Sequence, residues 1–170
     1  MMKRRSATVK MRVHAHFWYA ARMEKRREQD PGVTAWAALL RTHAAVVPKL
    51  GRAVAGAGLQ LSWYDVLLVL NAAPDRRLRM SDLGAAAVLS REHISRVVGE
   101  LERAGLVVRV PNPDDKRSSF ATITDAGRAR LQAAAPAYLA AIDSHFTQHL
   151  GAREVAAVAA ALRKVVAAEE

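Results

Sequence analysis

Residues 89–103 read Leu89-Ser-Arg-Glu-His-Ile-Ser-Arg-Val-Val-Gly-Glu-Leu-Glu-Arg103, and their pattern decides the fold. Ser90 has the hydroxyl of a helix N-cap, able to accept a backbone N–H that the first turn leaves unpaired. Ile94, Val97, Val98 and Leu101 follow at helical spacing, so one face is apolar and seeks a core. The opposite face carries Glu92, Ser95, Arg96, Gly99 and Arg103, with Arg91 and His93 on its flanks. Just upstream, Ser81-Asp-Leu-Gly-Ala-Ala-Ala87 reads as a short capped helix. Only Val88 and Leu89 separate the two helices, which suits a helix-turn-helix.

Downstream, Val107 to Val110 is a β-branched run containing Arg109, and Phe120 to Ile123 alternates apolar with small residues. Between them lies Pro111-Asn-Pro-Asp-Asp-Lys-Arg-Ser-Ser119, so two short strands flank a turn and predict a hairpin. The order helix, helix, hairpin resembles the winged helix-turn-helix of the MarR family of transcriptional regulators. The residues that carry the likeness are Leu83, Leu89-Ser90, Ile94 to Val98, Leu101-Glu102, Gly105 to Val107, Pro113 to Arg117, and Thr124-Asp-Ala-Gly-Arg128. It covers roughly residues 33–168 and departs from the pattern twice. Gly84 stands where such motifs usually have Ala, and Val88 where the turn usually has Gly.

The resemblance implies a mainly α fold with a small β-hairpin wing, organised as a DNA-binding lobe over about 59–123 between dimerisation helices over about 33–57 and 125–168. It implies a homodimer on double-stranded DNA with a palindromic operator, each recognition helix in a major groove and each wing tip at a minor groove. The expected DNA contacts are Ser90, Arg91, Glu92, His93, Ser95 and Arg96 on the helix, and Arg109, Asp115, Lys116, Arg117 and Ser118 on the wing. Arg96 is placed to read a base edge. Asp115 is expected, from the resemblance, to brace Arg117 as it enters a narrow minor groove.

Composition agrees with a folded nucleic-acid binder. A chain of 170 residues with 51% hydrophobic content can bury a sizeable core. Its net charge of +10 is uneven: residues 1–30 hold nine basic against three acidic side chains, and residues 76–130 hold eleven against seven. Positive charge thus sits on the tail and the helix-wing segment, where neutralised phosphates would release counterions. Cysteine is absent, which excludes disulfides and a thiol switch. No apolar run has the length of a membrane span, so a soluble, cytoplasmic protein is expected.

From the start, residues 1–30 read as a basic, flexible extension around His14-Ala-His-Phe-Trp-Tyr-Ala-Ala21, with a DNA-touching arm as the competing reading. Residues 31–170 are the regulator domain. Thr34 is expected to cap a long first helix carrying Trp36, Leu39, Leu40, His43, Val47, Leu50 and Val54, kinked or broken at Pro48. A second helix starts near Trp63, with Ser62 and Asp65 as its cap. The loop Ala73 to Leu78 follows, and with Arg79 places three arginines beside the helix-turn-helix, either solvated or within reach of a phosphate. Trp36, His43, Trp63 and Tyr64 could line a pocket for a small aromatic or anionic effector, or be core aromatics.

Past the hairpin, Thr124 caps a helix that runs to Leu150, kinked near Pro136, and Gly151 separates it from a last helix with Val155, Val158, Leu162, Val165 and Val166. These apolar faces exceed what one chain covers, so the first and last helices are expected to form the dimer interface. His145 and His149, spaced i, i+4 with Asp143 nearby, form the one arrangement that could grip a metal, against the commoner case of two surface histidines. No phosphate loop, nucleophile triad or supported carboxylate pair is visible, so no enzyme, cofactor or metal is expected. The alternative from another class is a metal- or ligand-binding module or small enzyme using this fold without a DNA site, against which the basic Lys116-Arg117 turn speaks.

Overall fold

Asp30 starts the first helix: its Oδ1 accepts the backbone N–H of Gly32 at 2.7 Å and of Val33 at 3.3 Å. With Pro31 in the first helical position, where a missing N–H costs nothing, the start lies ahead of the expected Thr34. The computed structural model describes residues 30–87, 89–112 and 115–169, with the side chains of Arg91, Lys116 and Arg117 left out. The basic extension before Asp30, the Val88 turn position and the Pro113-Asp114 wing tip lie outside the described residues.

In chain order the elements are α1 (Pro31–Ala55), α2 (Leu61–Ala72), a 3-10 turn (Pro74–Arg76), β1 (Arg77–Arg79), α3 (Met80–Ala86), α4 (Arg91–Arg103), β2 (Val107–Asn112), β3 (Asp115–Ile123), α5 (Asp125–His145), a second 3-10 turn (Thr147–His149) and α6 (Ala152–Glu169). Described residues up to Ala45 belong to one compact unit and those from Val46 onward to another. Pro48 does not break α1, and Pro136 does not interrupt α5. Among the described residues, no helix is long and apolar enough to cross a membrane.

In the second unit, Ile94, Val97, Val98 and Leu101 of α4 are each at most 2% exposed. They meet Val66, Leu67 and Leu70 of α2, Leu83 of α3, and Val107 and Ala121 of the sheet in one core. Burial of each such aliphatic side chain contributes roughly 1.5–3 kcal/mol, which fixes which face of α4 remains outside. Helix α2 begins at Leu61 with Gln60 as its N-cap residue, whose carbonyl accepts from Trp63 and Tyr64 N–H. Ser62 is therefore inside the first turn and not the cap expected from sequence. Asp65, on the same helix, has its carboxyl pKa raised by burial.

The sheet has three antiparallel strands in the order β1-β3-β2. The hairpin is as expected, but β1 is an addition: Arg77, Leu78 and Arg79 pair with Thr122, Ala121 and Phe120. These arginines stand on an edge strand instead of the expected loop. The hairpin strands also reach further toward the tip, and the register slips between Pro111 and Asn112. Asn112 is buried there, donating from Nδ2 to the Ser118 hydroxyl at 2.8 Å.

One junction joins α4, the sheet and α5. The chain leaves α4 through Gly105 at φ +71°, a left-handed turn that Gly adopts without steric cost. Thr124 N–H donates to the Leu106 carbonyl, and Thr124 Oγ1 donates to the Gly105 carbonyl at 2.8 Å while accepting from Gly127 N–H at 3.0 Å. The capping role read for Thr124 is thus combined with a tie to the preceding turn.

Gly84 is buried where α3 meets α4. A Cβ added there would lie 3.4 Å from Ile94 Cγ2 and 3.5 Å from the Leu89 carbonyl oxygen, which is contact without overlap. Gly84→Ala is therefore expected to stabilise the protein, by about 0.5–1 kcal/mol from helix propensity. Urea titration checks this, and a lower midpoint would mean that α3 and α4 are packed too tightly for a methyl.

Candidate nucleic-acid interface

Ser90 caps α4, its Oγ accepting His93 N–H at 3.2 Å. That bond fixes where the helix begins, and the buried stripe fixes its rotation. Glu92, Ser95, Arg96 and Arg103 are left exposed, with His93 and Gly99 half-buried beside them. Arg103 folds back to donate from Nε to the Gly99 carbonyl.

Arg109, expected as a DNA contact, has structural partners. Its backbone N–H donates to Glu102 Oε1 at 3.1 Å, its Nε pairs with Glu102 Oε2 at 3.0 Å, and a terminal nitrogen donates to the Ser95 carbonyl at 3.1 Å. The base of the wing is thereby pinned to the recognition helix, a charge-assisted clamp with defined geometry. Of the other wing residues, Ser118 holds Asn112 and donates to the Asp115 carbonyl, and Asp115 is exposed. Lys116 and Arg117 lie on β3 beside the turn, but their side chains are outside the described residues, as is that of Arg91.

Three features here were not read from sequence. Glu100 of α4 accepts the indole N–H of Trp63 on α2 at 2.9 Å. Arg77 and Arg79 both stand over the Phe120 ring, their guanidinium carbons 5.0 and 5.8 Å from its centroid. A cleft of about 400 Å³ separates the recognition helix from the wing and is walled on its third side by Arg79 and α3. The only hint in sequence was the run of arginines ahead of Met80.

The four residues expected to line an effector pocket have different surroundings. Trp36, 60% exposed, and His43, also exposed, are on α1. Trp63 is engaged by Glu100 as described. Tyr64 is buried in the core against Tyr138, ring centroids 4.4 Å apart, and the pKa of each phenol is raised, chiefly by burial. The histidine pair also differs from its helical reading: α5 stops at His145, and His149 belongs to the following 3-10 turn. Thr147 Oγ1 donates to Asp143 Oδ1 and Gln148 Nε2 to the Ser144 carbonyl, so side chains bond across the helix end. Among the described residues no cluster of three metal-ligating side chains is present.

The family model described as MarR family matches residues 57–118, the segment holding α2, the helix-turn-helix and most of the wing. The transcriptional repressor YetL of Bacillus subtilis (strain 168) is 30% identical over 90 residues, 53% of this chain and 54% of that protein. The chain spans about half the length of the curated relatives it matches. Sco3205 of Streptomyces coelicolor, a MarR family transcriptional regulator solved in complex with DNA, superposes with a TM-score of 0.72 at 30% identity, over 78% of this chain and 84% of that one. CouR of Rhodococcus jostii RHA1, solved bound to p-coumaroyl-CoA, gives 0.68 at 25% identity, over 82% and 93%.

Proposed function

Because the chain belongs to the MarR family of transcriptional regulators, we propose that it binds a palindromic operator as a homodimer, α4 reading base edges in the major groove and the β2–β3 wing reaching the adjacent minor groove. The observation that carries this reading is the rotation of α4, which buries Ile94, Val97, Val98 and Leu101 and leaves Ser95 and Arg96 exposed. A guanidinium there can bond a guanine edge in two places, worth roughly 1–3 kcal/mol of discrimination. The basic wing adds Lys116 and Arg117.

The dimer is built through the first and last helices. Trp36 and Leu40 on α1, and Val158, Leu162, Val165 and Val166 on α6, keep large exposed apolar surface in the single chain. Twofold pairing also presents two recognition helices to two half-sites, about 34 Å apart. A small effector, aromatic or anionic, completes the proposal. CouR's acyl-CoA ligand supports it by kinship, and Trp36 and His43 are the exposed side chains that would meet such a molecule. A binding role is favoured over catalysis.

Selection of duplexes from a random pool tests the class: a recovered palindrome is expected, and recovery of nothing above background at moderate salt defeats the proposal. With that site in hand, Arg117→Ala is expected to weaken binding to specific and scrambled duplexes alike and to flatten the salt dependence by about one phosphate per wing. Arg96→Ala is expected to lower the ratio between the two duplexes instead. If both changed affinity alone, base reading would not lie with Arg96.

A further inference from the structure

Among the described residues, the polar lining of the cleft between the recognition helix and the wing consists of Arg79, Ser81, Ser95, Arg109, Ser118 and Ser119, with no carboxylate. Ser81 Oγ already donates to Asp82 Oδ1 at 2.9 Å and Ser118 Oγ to the Asp115 carbonyl, so two guanidinium groups and the hydroxyls of Ser95 and Ser119 make the oxyanion receptor. Arg109 is already held by Glu102 and the Ser95 carbonyl. The Arg79 side chain has no ion pair or hydrogen bond among the described residues; its guanidinium rests over Phe120, which restrains it while leaving its donors open.

In a duplex, one sugar-phosphate strand separates a major groove from the neighbouring minor groove. With α4 in the first and the wing at the second, that strand must pass over the gap between them. The cleft is that gap. We propose that it receives one backbone phosphate per protomer, bound by Arg79 with Ser119 as hydroxyl donor. The inference rests on the DNA-reading geometry proposed above and adds a contact outside both the recognition helix and the wing tip. Such a contact fixes the register of the protein on the duplex and carries no sequence information itself.

Arg77 supplies the control, since it shares the Phe120 ring and the same charge but is absent from the cleft lining. Full-length wild type, Arg79→Gln and Arg77→Gln would be titrated with the selected duplex and a scrambled one across a chloride series, with thermal melts run alongside. Arg79→Gln is expected to weaken both duplexes by roughly a hundredfold, about tenfold for the charged hydrogen bond lost in each protomer, and to flatten the slope of log K against log salt by about 0.9 per protomer. Arg77→Gln should cost about twofold at most, through long-range charge alone, and keep the wild-type slope. Replacing chloride by inorganic phosphate at matched ionic strength should weaken wild type more than Arg79→Gln.

A wild-type slope in Arg79→Gln, or equal losses in the two variants, overturns the assignment. So does loss of phosphate sensitivity in Arg79→Gln with its chloride slope intact, which would make the cleft a free-anion site. Wild type that prefers no duplex would remove the proposed function and this contact together. Preserved wild-type preference with an indifferent Arg79→Gln removes only the contact.

Discussion

Gly127→Ala is expected to cost about 3 kcal/mol of stability, seen as a melting midpoint lower by roughly 6–12 °C. A Cβ at this position would overlap the Leu106 carbonyl oxygen and lie 2.9 Å from Ile123 Cγ1. The oxygen belongs to backbone that is itself held by Thr124 N–H, so it cannot swing aside as a flexible side chain would. Relief requires moving the start of α5 away from the sheet, at the expense of the Thr124 cap and its bond to Gly105. Gly84→Ala is the matched comparison, because the same added methyl meets only ordinary contacts there. A Gly127→Ala midpoint equal to wild type would mean that α5 slides on the sheet at no cost.

Leu162→Asp is expected to turn a two-chain particle into single chains at micromolar concentration and to abolish operator binding. In the single chain α6 buries no residue, and Leu162 is 38% exposed on a stripe with Val158, Val165 and Val166. If that stripe meets its copy, burying a carboxylate costs at least about 2 kcal/mol, and twofold symmetry applies the cost twice. The dissociation constant should then rise by roughly a thousandfold. Light scattering reads the mass directly, and an unchanged two-chain mass would locate the interface elsewhere on the surface.

The helix-turn-helix and wing were legible because their signals are local. Ser90 is a capping hydroxyl beside a clean apolar period, and the strands flank a run of turn formers. Asp30 lost to Thr34 in the sequence reading because both are good caps, and only the position of Pro31 settles between them. Strand β1 escaped notice for a different reason. Arg77-Leu-Arg79 is three residues long, and it becomes a strand only because β3, some forty residues later, offers a free edge. Arg109 shows what periodicity leaves out. Its charge and place on the wing are legible, but its partner Glu102 sits across the Gly105 turn, a relation that helical or strand periodicity does not reveal. His145 and His149 failed in the opposite way, since i, i+4 spacing means one face only while the helix continues.

The bond from Trp63 to Glu100 has an optical consequence. An indole whose N–H donates to a carboxylate emits differently from one facing water or an apolar wall, and here the acceptor is carried by the recognition helix itself. Trp63 is therefore a fluorophore wired to α4. Any turn of that helix that withdraws Glu100 changes the colour and yield of its emission, so in a variant with Trp18 and Trp36 replaced by Phe the posture of the reading helix can be followed in solution without a label, before any DNA is added.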